Sequence, residues 1–159
     1  MNYRNNNGNN DLSALGFGCM RFPKRGNGFD MEEVEKEILH AIKLGVNYFD
    51  TAYIYPGSEE ALGTVLSVNG CREQVKIATT LPHYMMKTRA DMEKHFNEEL
   101  SRLKTDYIDY YLMHMLPDVK TWNILIERGA LDWLTELKAS GKIRNIGFSY
   151  HGSTHTFQA

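Results

Sequence analysis

The segment NYFDTAYIYPGSEEALG, Asn47 to Gly63, sets a carboxylate, Asp50, at the end of an apolar run and a phenol, Tyr55, five residues later. Those two groups suit the protonation of an alkoxide, the species left when hydride reaches a carbonyl carbon. Free tyrosine has a pKa near ~10, so it donates poorly at neutral pH unless its anion is stabilised. A neighbouring ammonium stabilises it, a carboxylate holds the ammonium, and an imidazole orients the carbonyl oxygen. His114, at the end of YIDYYLMH, suits the imidazole role. Each residue also has an ordinary role: Asp50 as a turn or capping aspartate before Thr51, Tyr55 as a packing tyrosine, and His114 as a satisfied, half-buried histidine. Ser149 and His151 end a later apolar run, where loop polarity is the ordinary reading. The acidic pairs Glu32–Glu33 and Glu98–Glu99 read as solvated helix faces. Met20, Met85, Met86, Met113 and Met115 read as gap-fillers, Met20 at a strand end.

Short apolar runs alternate with amphipathic segments along the whole chain. Asn5 to Asn10 is an Asn/Gly turn cluster between Met1–Arg4 and Leu12–Met20, which predicts a terminal β-hairpin. Ser13–Met20 reads as a strand. Asp30, with Glu33 three positions on, opens a helix in which Val34, Ile38 and Ile42 share a face, and Gly45 ends it. Val46–Thr51 is the next strand, and Ser58 caps a second helix with Glu59 and Glu60 at its positive end. Val75–Thr80 is a strand; Thr88 opens a helix with Met92, Phe96, Leu100 and Leu103 on one face. Tyr107–His114 is a strand, Thr121 to Ser140 is helical with a break at Gly129, and Ile143–Ser149 is a strand. GSTHTFQA reads as the opening of a further helix.

Such alternation requires parallel strands joined by right-handed crossovers. An open doubly wound sheet and part of a (β/α)₈ barrel both satisfy it, and in both the chemistry gathers at the carboxyl ends of strands. Asp50, Thr80, His114 and Ser149 lie at such ends. No GxGxxG follows a strand, which weighs against a dinucleotide-binding doubly wound sheet.

The 159 residues are 42% hydrophobic and 24% charged, which fits one soluble domain. A net charge of −2 gives no basic excess for nucleic acid. The apolar runs are too short for a membrane span, and the polar N-terminus is no secretory leader. Cys19 and Cys71 form no CxxC, so a disulfide or zinc site is not expected and a reducing cytoplasm fits.

GFGCM, GVNYFDTAYIYPGSEEALG, KIAT-x-LP, DYIDYYLMH and GKIRNIGFS occur in this order, from about Ser13 to Gly152. Together they resemble the aldo-keto reductases, in a bacterial subgroup that often carries a ferredoxin-like iron–sulfur tail. The resemblance implies a partial (β/α)₈ TIM barrel of about five parallel strands and four helices, with an N-terminal β-hairpin, spanning residues 1–159 as the N-terminal part of one domain. It implies interconversion of carbonyls and alcohols with NADPH or NADH on a small substrate. It assigns Asp50 to the carboxylate, Tyr55 to the acid/base and His114 to the carbonyl-orienting imidazole. Met20, Asp50 and Ser149 would contact the cofactor, and no metal is implied. The position after Ser149 is commonly asparagine in the family and is Tyr150 here. An iron–sulfur cluster would belong to a missing C-terminal region, since clustered cysteines are absent.

Two departures stand out. The family's lysine falls at Thr80, which is neutral and short. An ion pair near ~4 Å at an effective dielectric of about 20 is worth roughly 4 kcal/mol, on the order of a thousandfold in rate. Lys76 lies about 13 Å back along the same strand at roughly 3.3 Å per residue; Lys87, in the following loop, is a remote alternative, and a sequence error at position 80 is another. The second departure is length, since a full barrel takes about 250 residues and anchors phosphate after its seventh and eighth strands. These features predict a reductase half that is inactive alone. The alternatives are a non-catalytic half-barrel that assembles through its open edges, or a degenerate gene product. A metal-dependent hydrolase using Asp50 and His114 has no HxH or HExxH pair behind it.

Overall fold

A computed structural model describes residues 1–5 and 11–157. The first two strands, β1 (Tyr3–Asn5) and β2 (Asp11–Ser13), pair antiparallel. This is the expected terminal hairpin; of the Asn/Gly cluster assigned to its turn, Asn5 ends β1 opposite Asp11, and residues 6–10 lie outside the described residues. The run Ser13–Met20 is not one strand. It splits into the end of β2, a two-residue strand β3 (Phe17–Gly18) and a 3₁₀ turn over Cys19–Arg21. A small hairpin of β4 (Lys24–Arg25) and β5 (Gly28–Phe29) follows, turning at Gly26 with φ +65°. It is too short to leave a periodic signal in the sequence.

The alternation then proceeds as α1 (Met31–Lys43), β6 (Tyr48–Asp50), α2 (Ser58–Val68), β7 (Lys76–Pro82), α3 (Arg89–Leu103), β8 (Ile108–Leu116), α4 (Val119–Glu127), α5 (Ala130–Ala139), β9 (Ile143–Tyr150) and a short α6 (Thr154–Phe157). Local chemistry sets these boundaries. The Asp30 carboxylate accepts the Glu33 N–H, and Thr88 and Asp91 form a reciprocal capping box. Gly129, at φ +85°, breaks the segment after β8 into α4 and α5, so five long helices stand where four are expected. Ser58 is the first helical residue rather than the cap. Gly57 holds the cap position in a left-handed conformation, φ +76°, which frees the serine hydroxyl for another use.

Five strands form one parallel sheet in the order β3-β6-β7-β8-β9. Its outer face supplies Phe49, Ile77, Leu81, Tyr111 and Met113 to the core. The helices close it with Val34, Ile38, Leu62, Leu66, Met92, Phe96, Trp133 and Leu134. Phe96, Tyr111 and Trp133 meet edge to face, with ring centroids 5.1–6.1 Å apart. At Gly63, α2 lies directly against the backbone of α3: a β-carbon there would meet the Arg102 carbonyl oxygen and stand 2.6 Å from the Leu103 backbone.

Two clusters of ionisable side chains lie buried in this fold. Glu99 does not point to solvent as its acidic run suggests. Glu59 and Glu99 are both fully buried; the Thr79 hydroxyl donates to Glu59 Oε1 at 2.6 Å, and the Tyr111 hydroxyl donates to Glu99 Oε2 at 2.6 Å. Arg102 reaches Glu59 Oε2 at 3.2 Å, while Glu99 Oε1 has no hydrogen-bond partner among the described residues. Burial first, then the charge of Glu59, hold the Glu99 carboxyl well above the usual carboxylate range. At the amino ends of the strands, buried Asp109 gathers Arg72 (2.9 Å), Arg144 (3.3 Å) and Lys76 (3.8 Å) and accepts the Ile77 N–H at 3.0 Å. Both arginines also stack on Tyr107, 4.2 and 4.0 Å from its ring centre.

Candidate active site

Side chains alternate across each strand, and the register of the sheet groups one set on its concave face. Gly18 pairs with Asp50, Asp50 with Ala78, Thr80 with Leu112, Pro82 with His114, and Leu112 with Gly147. Asp50, Thr80 and His114 therefore share that face near the carboxyl ends of β6, β7 and β8.

Tyr55 comes from the loop between β6 and α2, and that loop is tied down on two sides. The Thr51 N–H donates to the Ala78 carbonyl at 2.8 Å and the Tyr53 N–H to the Thr80 carbonyl at 3.3 Å, which extends the β7 pairing. The freed Ser58 hydroxyl donates to the Cys19 carbonyl at 2.8 Å. Its single proton is thus used, so Thr51 Oγ1, 2.7 Å away, donates to it in turn. This buried relay fixes the start of α2 against the turn after β3. The loop closes with the Tyr55 N–H on the Ala52 carbonyl and the Ser58 N–H on the Tyr55 carbonyl, both at 3.0 Å.

Tyr55 and His114 meet edge to face, with ring centroids 6.2 Å apart and planes at 82°. Burial first, then the charge of Asp50, raise the Tyr55 phenol above its ordinary value. Burial likewise raises the Asp50 carboxyl, which makes no ion pair among the described residues. The neighbouring Tyr48 phenol is pushed up to about 12 by burial, Asp50 and Tyr110. The Cys19 thiol is also held up by burial and then by Asp50, so it stays protonated and unreactive. His114 is buried, and burial, then His151 and His83, lower its imidazole below the usual histidine value. It is therefore neutral at neutral pH. Thr80 Oγ1 stands 2.6 Å from His114 Nδ1, and His83 Nδ1 donates to the His114 carbonyl at 2.6 Å.

Among the described residues, no lysine acts on Tyr55. Lys76 is engaged with Asp109 at the opposite end of β7, and Lys87 is exposed, its backbone N–H capping α3 through Asp91. Both influences on Tyr55 act upward, against ionisation.

β8 and β9 slip register between Met113 and Leu116, and Met115 adopts a left-handed φ of +55° there. Its N–H turns from the ladder to Ser149 Oγ at 2.7 Å. The serine hydroxyl thereby keeps its own proton for donation to another group. Met20 sits on the 3₁₀ turn after β3 with a side chain 54% exposed, and it is adjacent Cys19 that is buried. Sequence reasoning missed His83 and the Ser58–Thr51 relay; the signal for the relay was Gly57, a better left-handed cap than Ser58. Among the described residues, no three His, Cys, Asp or Glu side chains are placed to share a metal ion.

The parallel sheet thus carries an aspartate and a histidine near its carboxyl ends, with a tyrosine from the loop after β6 beside the histidine. The aldo/keto reductase family model matches residues 14–159, and the chain belongs to that family. It is 31% identical over 150 residues to an uncharacterised oxidoreductase of Bacillus subtilis, covering 87% of this chain and 45% of that protein. It is 31% identical over 161 residues to an aldehyde reductase of Saccharomyces cerevisiae, covering 87% and 48%. Among solved structures, the holo form of an aldo-keto reductase from Bacillus halodurans superposes with a TM-score of 0.76 at 29% identity, covering 94% of this chain and 50% of that one. An aldo-keto reductase from Klebsiella pneumoniae in complex with NADPH gives 0.72 at 28% identity, covering 93% and 49%. The chain thus spans about half the length of these relatives. Its sheet is the corresponding part of their barrel. No helix among the described residues is long and apolar enough to cross a membrane.

Proposed function

We propose that residues 1–159 are the N-terminal part of one barrel domain that interconverts carbonyls and alcohols on a small substrate with NADPH or NADH. The observation that carries this reading is the edge-to-face meeting of Tyr55 and His114 beside Asp50 at the strand ends. In reduction, the cofactor when bound supplies the hydride. Tyr55 Oη then gives its proton to the substrate oxygen, and its raised phenol is protonated throughout the neutral range. Neutral His114 orients that oxygen through a ring nitrogen. Ser149 fits the nicotinamide end, because its hydroxyl accepts from Met115 and retains a proton for a carboxamide oxygen. Met20, exposed on its turn, offers a thioether to the same region. The two free cysteines, both buried, suit a reducing cytoplasm.

By itself this chain binds NADPH weakly and does not reduce carbonyls, because no cation among the described residues eases ionisation of Tyr55 and the chain spans about half of its relatives' length. A fluorescence titration of the purified chain with NADPH tests this; tight binding counts against it. In a chain completed with the carboxyl half of a relative, Tyr55→Phe lowers carbonyl reduction by about 10²–10⁴, the usual contribution of a general acid. Unchanged turnover removes Tyr55 from the role.

A second reading is favoured by one observation: the outer face of β9 is uncovered, with Ile146 40% and Phe148 52% exposed beside a cavity of about 360 Å³ lined by Trp122 and Phe157. The half-barrel then serves as an assembly module that associates through this side. Light scattering on the eluting chain distinguishes the two: a discrete dimer favours assembly, and a monomer opposes it.

A further inference from the structure

We propose that Thr80 is a positioning residue that fixes the tautomer of His114, holding its proton on Nε2 so that the ring offers an N–H donor into the site. The inference rests on the oxidoreductase reading for its purpose, but its physical content does not depend on it. Thr80 Oγ1 and His114 Nδ1 are 2.6 Å apart, both residues are buried, and the register sets them diagonally on one face of the sheet. Two arrangements fit that distance. If Nδ1 carried the proton, the threonine oxygen would accept it, and the threonine proton would need another acceptor. Among the described residues Thr80 Oγ1 bonds to His114 and to nothing else. A buried donor left without an acceptor is costly, so the hydroxyl donates and Nδ1 accepts. The other ring nitrogen then holds the proton. His83 completes the restraint from behind: its Nδ1–H holds the carbonyl of His114 itself, at the point where β8 begins to slip register.

Thr80 is therefore more than the loss of a lysine. The position changes from a charge that eases ionisation of the phenol to a hydroxyl that sets which way the imidazole faces. The substrate oxygen meets a neutral, fixed donor, and His114 is unavailable as a proton acceptor at Nδ1.

The test is long-range ¹H–¹⁵N correlation of the histidine side chains in the purified chain between about pH 7 and pH 8, where unperturbed imidazoles are neutral, with no cofactor and no carbonyl present. The expected result is a protonated Nε2 and an acceptor-type Nδ1 on His114, favoured about tenfold, the ratio an ordinary net hydrogen bond supplies. Thr80→Ser preserves that pattern, and Thr80→Val moves His114 toward a mixture of tautomers. A protonated Nδ1 in the unaltered chain overturns the proposal, and so does an unchanged ratio in Thr80→Val. Should the valine variant not fold, the tautomer of the unaltered chain still decides. A failure here leaves the oxidoreductase reading standing, and loss of that reading leaves the tautomer measurement standing.

Discussion

The ring edge of Tyr55 meets His114 at 82°, and the strongest charge acting on that phenol is the carboxylate of Asp50. With no cation between them, Asp50 works against ionisation of Tyr55. Asp50→Asn should therefore lower the Tyr55 phenol, moving it back toward the ordinary tyrosine range. Ultraviolet difference titration against a Tyr55→Phe control reads the shift. A Tyr55 titration that stays in place or rises means that Asp50 does not face the phenol.

Thr80→Lys should move Tyr55 in the same direction by a different route, since an ammonium favours the phenolate. In a completed barrel, carbonyl reduction should rise by about ten- to a thousandfold, the span covered by roughly 1.4–4 kcal/mol. The gain is partial because the hydroxyl on His114 is lost with the threonine. Absence of any gain counts against position 80 as the cation site.

Glu99 ties stability to pH. Its folded carboxyl titrates well above the unfolded value, so between the two the folded chain holds a proton that the unfolded chain has released. The contribution of Glu99 to stability is then fully present below the unfolded pKa, near ~4.3, and is lost as pH rises through the folded value. Glu99→Gln keeps an acceptor for the Tyr111 hydroxyl and removes the ionisable group. Denaturant melts should show the variant more stable by about 1–3 kcal/mol at pH 8, with a flatter profile. An equal slope in both proteins would show that Glu99 is ionised in the fold.

Gly63→Ala should destabilise by about 1–3 kcal/mol, because the added methyl meets the backbone of α3 rather than a movable side chain. The midpoint of urea unfolding is the readout. By contrast, Gly129→Asn should cost about 1 kcal/mol, the strain of a left-handed φ that asparagine tolerates better than most residues, since a β-carbon there meets nothing within 4 Å.

The strand–helix alternation was legible because each long strand and helix carries its own period, and the parallel order followed from the crossovers. The caps at Asp30 and Thr88 and the break at Gly129 were legible for the same local reason. The small β4–β5 hairpin was not, since two residues per strand carry no period. The burial of Glu99 was legible in its period but masked by its charge: it stands three residues after Phe96 and four before Leu103 on the buried face of α3, while neighbouring Glu98, one step round the helix, is half-buried and receives the Tyr53 hydroxyl at 2.7 Å. At the site, residue types pointed to Asp50, Tyr55 and His114, while the partnership of Thr80 with His114 required the register of β7 against β8. No spacing in the chain encodes that register, which follows from packing both strands against their helices.

Asp109, at the far end of the sheet, gives the molecule a division of labour. Arg72, Lys76 and Arg144 bind the amino ends of β7, β8 and β9 to one buried carboxylate, with Tyr107 between the two arginines. All of these groups lie at the end of the sheet opposite Asp50, Thr80 and His114. Substitutions at the carboxyl rim can therefore accumulate without loosening this floor. A chain built this way keeps its shape through changes that would remake its mouth.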